Sequence, residues 1–440
     1  WKQKDMSLRQ WQFTLDSLKD LQQQLIKNNL YLNILCGDAF EIFKFLKNKH
    51  NFDSVISEQE TGIKWTFERD KKLKSFFLQN DIHWIECVYP GVRRGHHDRN
   101  QWAKFFRKDI LRYPNIPVIK QSINLGLKNY DLPKIFYDST PCPNRQKGGS
   151  EEAEKLLSTF LNSRGENYQF EMSSPISAEK SCSRLSTHLT YGTISHRSVF
   201  QEATQKKEKI QLTNKKFAKS INSFLSRLHW RSHFIQKLED QPSIEHESFI
   251  PVYDQIREKD FRKLDAWIEG KTGVHFIDAC MIYLRNHGWI NFRMRAMLAS
   301  FASYNLWLDW RYFGPRLAAL FTDFEPGIHY SQLQMQSGTT GINTIRMYNP
   351  YKQALDQDPE AKFIKSQLPE YNNFPPSFFF KPPELSNNEN LFNDSKLETI
   401  VDVTKTAKFA RDKIFSIRKL PEHQKMAKNV FIRHGSRQNR

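Results

Sequence analysis

Between residues 10 and 90, apolar positions recur at helical and strand spacing in turn. The pattern predicts helices over 10–28, 39–48 and 65–78, with strands over 30–35, 53–57 and 82–88 between and after them. Such alternation implies βαβ units and a parallel sheet. The segment opens on a helix, so at least one leading strand is expected to be missing.

From 114 to 149 the text thins into Pro, Asn, Lys and Gly and ends in Arg145-Gln146-Lys147-Gly148-Gly149, the composition of a linker. Ser150, ahead of Glu151 and Glu152, reads as a helix N-cap. Beyond it the periodicity is helical and strand signals nearly vanish. The expected architecture is therefore a Rossmann-like α/β domain over 1–113, incomplete at its start, a linker over 114–149, a large all-α domain over 150–384 and a basic C-terminal extension over 385–440. In the all-α part, Phe224, Leu228, Arg231, Ile235 and Leu238 fall on one helical stripe, with Arg227, Trp230 and Phe234 beside it. The run 289–310 is apolar nearly all round and predicts a central helix, yet it carries Arg293 and Arg295. The end, 405–440, reads as a basic amphipathic helix, either solvated or in contact with nucleic acid.

Aromatic residues make up 13% and charged residues 26% of the 440, a folded composition of a size that needs no metal or disulfide framework. The 66 Lys and Arg against 48 Asp and Glu leave +18, a balance that points to a polyanion such as DNA, or to a generally basic surface. Cys36, Cys87, Cys142, Cys182 and Cys280 lie far apart, which suits a reducing, cytoplasmic or nuclear setting. No stretch of eighteen apolar residues occurs, so no membrane span is expected. The start, Trp1-Lys2-Gln3, has neither an initiator Met nor a signal-peptide apolar region, and it reads as cut.

Charged and hydroxyl groups set into strongly apolar helices cost several kcal/mol unless paired or met by a polar ligand. Three segments share this feature: Cys182-Ser183-Arg184-Leu185-Ser186, the helix with Arg227 and Arg231, and Gly288-Trp289-Ile290-Asn291-Phe292-Arg293-Met294-Arg295. A large buried cofactor would resolve it. These blocks, followed in order by Leu308-Asp309-Trp310-Arg311, Tyr348-Asn349-Pro350, Phe363-Ile364 and Leu368-Pro369-Glu370, resemble the photolyases and cryptochromes. So do Thr272-Gly273 with Asp278-Ala279. The likeness covers about three quarters of the chain. The absence of any cysteine after Cys280 argues against the iron-sulfur branch of that family.

The resemblance implies a folded-back FAD in the all-α domain, its diphosphate met by Ser183, Arg184, Leu185 and Ser186 with Tyr168, Phe224, Arg231 and Trp289 close by. Helix capping would account equally well for Ser183 and Ser186 alone. Cys182 stands where the family usually has Thr. In Asp323-Phe324-Glu325-Pro326-Gly327-Ile328-His329 the family pattern implies Asp323 paired with Arg295 beside the ring and Glu325 accepting from flavin N3. It sets His329, where photolyases carry Asn, toward N5 as a donor or a proton mover.

Departures accompany the matches. The Glu that touches the lesion in cyclobutane-dimer enzymes is Arg227 here, while Trp230 is kept to stack on an extruded base. Phe292 and Ala296 replace an Asn and a Met that help to hold the lesion, and a further pocket aromatic is Met335. Two members of the usual tryptophan electron chain are Leu333 and Arg257. Only Trp310 remains, with Trp307, Trp289 and Trp267 as candidate substitutes or as plain core. Arg93 and Arg94 are candidates for DNA or for solvent. The implied activity is blue-light-driven, deoxyribodipyrimidine photolyase-like repair of UV lesions in DNA by a monomer, with cryptochrome-type photoreception as the alternative. The antenna pigment stays open.

Overall fold

A computed structural model describes residues 1–95, 98–113, 117–126, 136–382 and 399–435. The expected limits at 113/114 and 384/385, the centre of the linker, and the last residues of the tail lie outside the described residues.

The N-terminal part runs α1 (Leu8–Lys27), α2 (Ala39–Lys49), β1 (Ser54–Glu58), α3 (Lys64–Gln79), β2 (His83–Cys87) and α4 (Trp102–Ile110). β1 and β2 pair in parallel with Ile56 opposite Ile85. Leu73, Phe77 and Ile82 pack beneath them with Phe43 and Trp84. The strand expected over 30–35 does not form among the described residues. There Tyr31 N donates to Ser122 Oγ (2.6 Å) and Asn33 Nδ2 to the Ile123 carbonyl (2.8 Å), so the segment is held by the chain at 122–125 and joins no ladder.

The helical body comprises α5 (Ser150–Asn162), α6 (Tyr168–Glu171), α7 (Pro175–Ser181), α8 (Ser186–Thr190), α9 (His196–Ile210) and α10 (Lys215–Asp240). It continues with α11 (Phe261–Glu269), α12 (His275–His287), α13 (Phe292–Ser300), α14 (Trp310–Leu320) and α15 (Pro326–Ser337). α16 (Pro350–Gln357), α17 (Lys362–Gln367), α18 (Val403–Arg418) and α19 (Pro421–His434) complete it. Ser150 is the first residue of α5 and not its cap; Gly149, at φ +115°, precedes it, and the Ser150 amide and hydroxyl both donate to Asp20 Oδ2.

The central helix expected over 289–310 is broken. α13 starts after Asn291, its backbone passes into a π turn over Phe301–Asn305, and Trp307 takes φ +56°. Asp309, whose amide donates to the Glu258 carbonyl, then caps α14 by accepting from Arg311 N (2.9 Å). A strand-like bridge between Glu258 and Leu308 thus pulls the chain out of the helix. The basic tail folds as two helices, separated just before Pro421, which cannot continue a hydrogen-bonded helix. Ala410, Ile414 and Val430 are buried against Tyr253, Tyr304 and Trp307, and His423 Nε2 lies 2.9 Å from the Tyr253 hydroxyl. The basic tail therefore closes part of the core.

α1 belongs to this body as much as to the sheet. Arg9 is fully buried and donates to the carbonyls of Arg285 (3.0 Å) and Leu320 (3.1 Å), while Gln10 Nε2 donates to Phe321 O (3.0 Å). One cation thus satisfies carbonyls near the C-terminal ends of α12 and α14, where helices leave acceptors without partners. Arg9→Leu is expected to cost about 3 kcal/mol, since charge-assisted bonds to buried carbonyls are lost and the acceptors orphaned. Urea unfolding of parent and variant measures this, and a loss under about 0.5 kcal/mol would show that α1 is not anchored here.

Candidate functional site

α10 sets the first wall of the site. Its stripe Phe224, Leu228, Arg231, Ile235 and Leu238 is buried as the spacing demands, which carries the Arg231 guanidinium into the interior. There Arg231 Nη2 donates to Glu325 Oε2 (2.8 Å), the Tyr89 hydroxyl (2.9 Å) and the Leu189 carbonyl (3.2 Å). Arg231 and Glu325 are each 7% exposed. Burial pushes the Glu325 carboxyl up to about 7 although Arg231 draws it down. The Tyr89 phenol is pushed up to about 12 by burial, and Glu58, held high by the same cause, lies in the field of Arg231.

The Ser183–Ser186 turn forms the second wall. Arg184 takes φ +62°, a conformation costly for a side-chain-bearing residue, and lays its guanidinium 3.8 Å from the centre of the buried Trp289 ring. Leu185 is buried, and Ser183 Oγ accepts from Leu185 N at 3.4 Å. The turn is held from behind by Arg164, which donates to the carbonyls of Lys180 (2.8 Å), Cys182 (2.7 Å) and Leu156 (2.9 Å). Tyr168 opens α6 and packs edge-on against Phe160 and Phe224.

Arg295 and Asp323 make the third wall through a bidentate pair, Nη1 to Oδ1 at 3.0 Å and Nη2 to Oδ2 at 2.8 Å, with Arg295 Nε on the Ile290 carbonyl. His329 lies in the first turn of α15, not on a loop, because Pro326 starts that helix. Its Nε2 is 2.9 Å from the Gly314 carbonyl, which can only accept, so Nε2 carries the proton. Burial holds the ring neutral by pushing its pKa down to about 4. Nδ1 is left as the ring's acceptor; the donor role expected of this histidine is already taken by Gly314.

The three walls contain buried polar atoms without a protein partner: Arg184 Nε, Ser186 Oγ, Thr190 Oγ1, Arg231 Nε, Asn291 Oδ1 and Arg293 Nε. Native interiors rarely leave such groups unpaired. Five guanidinium and hydroxyl donors and an amide acceptor together fit a large ligand bearing both phosphate and polar ring atoms.

At the rim, Trp230 is 44% and Phe292 49% exposed, and the Arg227 guanidinium lies 4.3 Å from the centre of the Trp230 ring. Met335 is half-buried, six residues beyond His329 on α15, and Ala296 is buried on α13. Leu333 is buried against Gly314, where an added Cβ would come within 2.5 Å of it. Arg257 donates to Ser303 O (3.0 Å) and Ser337 O (2.6 Å) from a buried position. The tryptophans meet different partners: Trp310 faces Tyr330 at 6.3 Å, Trp307 Phe409 at 5.1 Å, Trp267 Phe313 at 5.5 Å and Trp289 Arg184. Arg94 pairs with Glu239 (2.9 Å) and Glu86 (3.4 Å) across the two domains.

Tyr89, Arg164 and Asn291, which donates to the Met172 and Ser173 carbonyls, escaped the sequence reading. The only signal for Asn291 was its place in the Gly288–Arg295 block, and nothing local marked Arg164 or Tyr89.

A small parallel sheet followed by a helical body around a buried, donor-rich site marks a protein built to hold a large phosphate-bearing cofactor. Residues 1–89 match the family described as DNA photolyase, and residues 224–416 the FAD binding domain of DNA photolyase. A deoxyribodipyrimidine photo-lyase from Halobacterium salinarum is 29% identical over 406 residues, 86% of this chain and 81% of that protein. In fold, the chain is similar to a Synechocystis cryptochrome (TM-score 0.80, 19% identity, 92% of this chain and 88% of that one). It is also similar to a class III photolyase from Agrobacterium tumefaciens (TM-score 0.75, 20% identity, 93% and 89%). The chain belongs to the photolyase and cryptochrome family, and its cofactor is FAD. The unpaired donors of the three walls fit that dinucleotide. No helix among the described residues is long and apolar enough to cross a membrane.

Asp323→Asn should cost about 3 kcal/mol by leaving Arg295 without its buried partner, read as a lowered urea midpoint together with weakened FAD retention; unchanged values for both would remove this pair from the site. An unfolded histidine takes up a proton near pH 6.5, whereas folded His329 resists until about 4. The folded state binds fewer protons in that window, so this residue makes stability fall as the pH drops from 6.5 to 4. His329→Asn should reduce that slope by about one proton, with the other histidines held low by burial, among them His188, His196, His275 and His434, contributing to what remains. Urea midpoints measured across the window report it.

Proposed function

We propose that the protein is a blue-light-driven DNA photolyase acting on UV-induced pyrimidine lesions. The observation that carries this reading is the exposed Arg227–Trp230 pair on α10, one helical face away from the buried Arg231–Glu325 pair. An aromatic face backed by a guanidinium suits a base taken out of its stack, and a lesion must be extruded before it can approach a buried flavin. The +18 net charge supplies phosphate attraction around it.

When bound, FAD supplies the light absorption and the electron. This chain's residues bind and orient it: Arg184, Ser183, Leu185 and Ser186 meet the diphosphate, with Tyr168, Phe224 and Trp289 closing the apolar sides. The Arg295–Asp323 pair fixes a charge-compensated edge, Glu325 offers an acceptor to an imide N–H, and His329 Nδ1 offers a second acceptor. The closely packed wall of α10 and α15 excludes water. Phe292 and Met335 shape the rim, where Arg227 contributes a cation to the lesion's carbonyls or phosphate.

One observation favours a second reading, photoreception of the cryptochrome kind. Leu333 and the buried, carbonyl-bound Arg257 interrupt the tryptophan route, leaving Trp310 with Tyr330 as its nearest ring. Irradiating lesion-bearing oligonucleotides with the reduced protein decides between the two. Repair of either major lesion type is expected, and Trp230→Ala should weaken lesion binding by roughly tenfold or more, the worth of one stacked base. Loss of neither lesion under light sinks the repair reading and leaves the receptor.

A further inference from the structure

A cavity of about 540 Å³ that shares no lining residue with the flavin walls opens between α18 and the segment 342–347. Its size lies in the range of small-molecule sites, roughly 300–1,000 Å³. Two guanidiniums, Arg411 and Arg418, and the Phe415 ring face Asn343 and Thr344 across it, over an apolar floor that includes Ile345. No carboxylate is among the lining residues.

The polar groups are set to donate. Thr340 Oγ1 donates to Asn343 Oδ1 (2.8 Å), which turns the Asn343 amide nitrogen away from that bond as a donor. Arg418 Nη2 donates to the Asn343 carbonyl (2.7 Å), which fixes the guanidinium plane, and its buried Nε has no protein partner. Arg411 makes no ion pair among the described residues. Phe415 is 49% exposed, a position that costs apolar hydration unless something flat covers it.

We propose that this cavity binds a nucleotide, with its phosphate on Arg411 and Arg418 and its base on Phe415. Guanidiniums match phosphate oxygens in charge and fork geometry, and an aromatic face stacks any base. The nucleotide is either free or one unit of a single DNA strand. The site shares no residue with the flavin walls or with the Arg227–Trp230 rim and stands whether or not the protein repairs DNA.

The test uses the FAD-loaded protein, so that the flavin site is filled. ADP is titrated calorimetrically, and a fluorescent oligothymidylate by anisotropy. Parent protein should bind at least one of them, with Arg411→Glu and Phe415→Ala each weakening it by about tenfold or more; both residues are exposed, and flavin absorbance checks that the variants fold. Binding of ADP alone identifies a free nucleotide as the ligand. Binding of both, in competition, identifies a strand. Failure of both probes to bind overturns the proposal, as does binding that survives both substitutions or that is lost in Arg227→Ala. Failure of repair with nucleotide binding intact would strike the proposed function and leave this site standing.

Discussion

Much of the molecule turns on one ion pair. Arg231 and Glu325 meet at 2.8 Å with almost no solvent, and the Tyr89 hydroxyl joins them from the N-terminal domain. Burying two charges costs more than their attraction returns unless further hydrogen bonds complete both groups. Tyr89 and the Leu189 carbonyl supply part of that completion, and the unpartnered Arg231 Nε marks where it stops. The pair therefore ties α10, the turn before α15 and the α/β domain to one point, and leaves that point in need of a ligand.

The same logic repeats around the site at smaller scale. Arg184 is held on Trp289 in a left-handed backbone, and Arg164 binds the carbonyls that would otherwise relax that turn. Arg295 is locked on Asp323 while its Nε holds the Ile290 carbonyl. In each case a cation is oriented by protein acceptors on one side and leaves donor capacity on the other, the form of preorganisation that a polyanionic cofactor rewards. A neutral His329 fits this setting, since a further positive charge would stand in the field of Arg295.

The rim differs from the interior in how tightly its residues are held. Trp230 and Phe292 are largely exposed, so side chains there are replaced at little cost to the buried pairs beneath. Leu333 and Arg257 are different in kind. Both are buried and well packed, so a return to tryptophan at either would require the surrounding helices to move.

The sequence by itself determined the class. Helical periodicity, which is local, placed the helical domain, and charged residues in apolar helices called for a buried polar ligand; the flavin and the Arg295–Asp323 pairing followed from the resemblance that those blocks carry. Two of the three expected strands and the helices between them were legible for the same reason. Only the tertiary structure decided the rest. The segment after Leu30 has strand-like composition, yet a strand exists only when a neighbour offers a ladder, and here Ser122 and Ile123 claim it sideways. The run through Trp307 reads as one helix until Glu258, distant in sequence, takes Asp309 out of it. Arg164, Tyr89 and Arg9 show no local pattern, since their roles come from carbonyls and carboxylates that folding alone brings within reach.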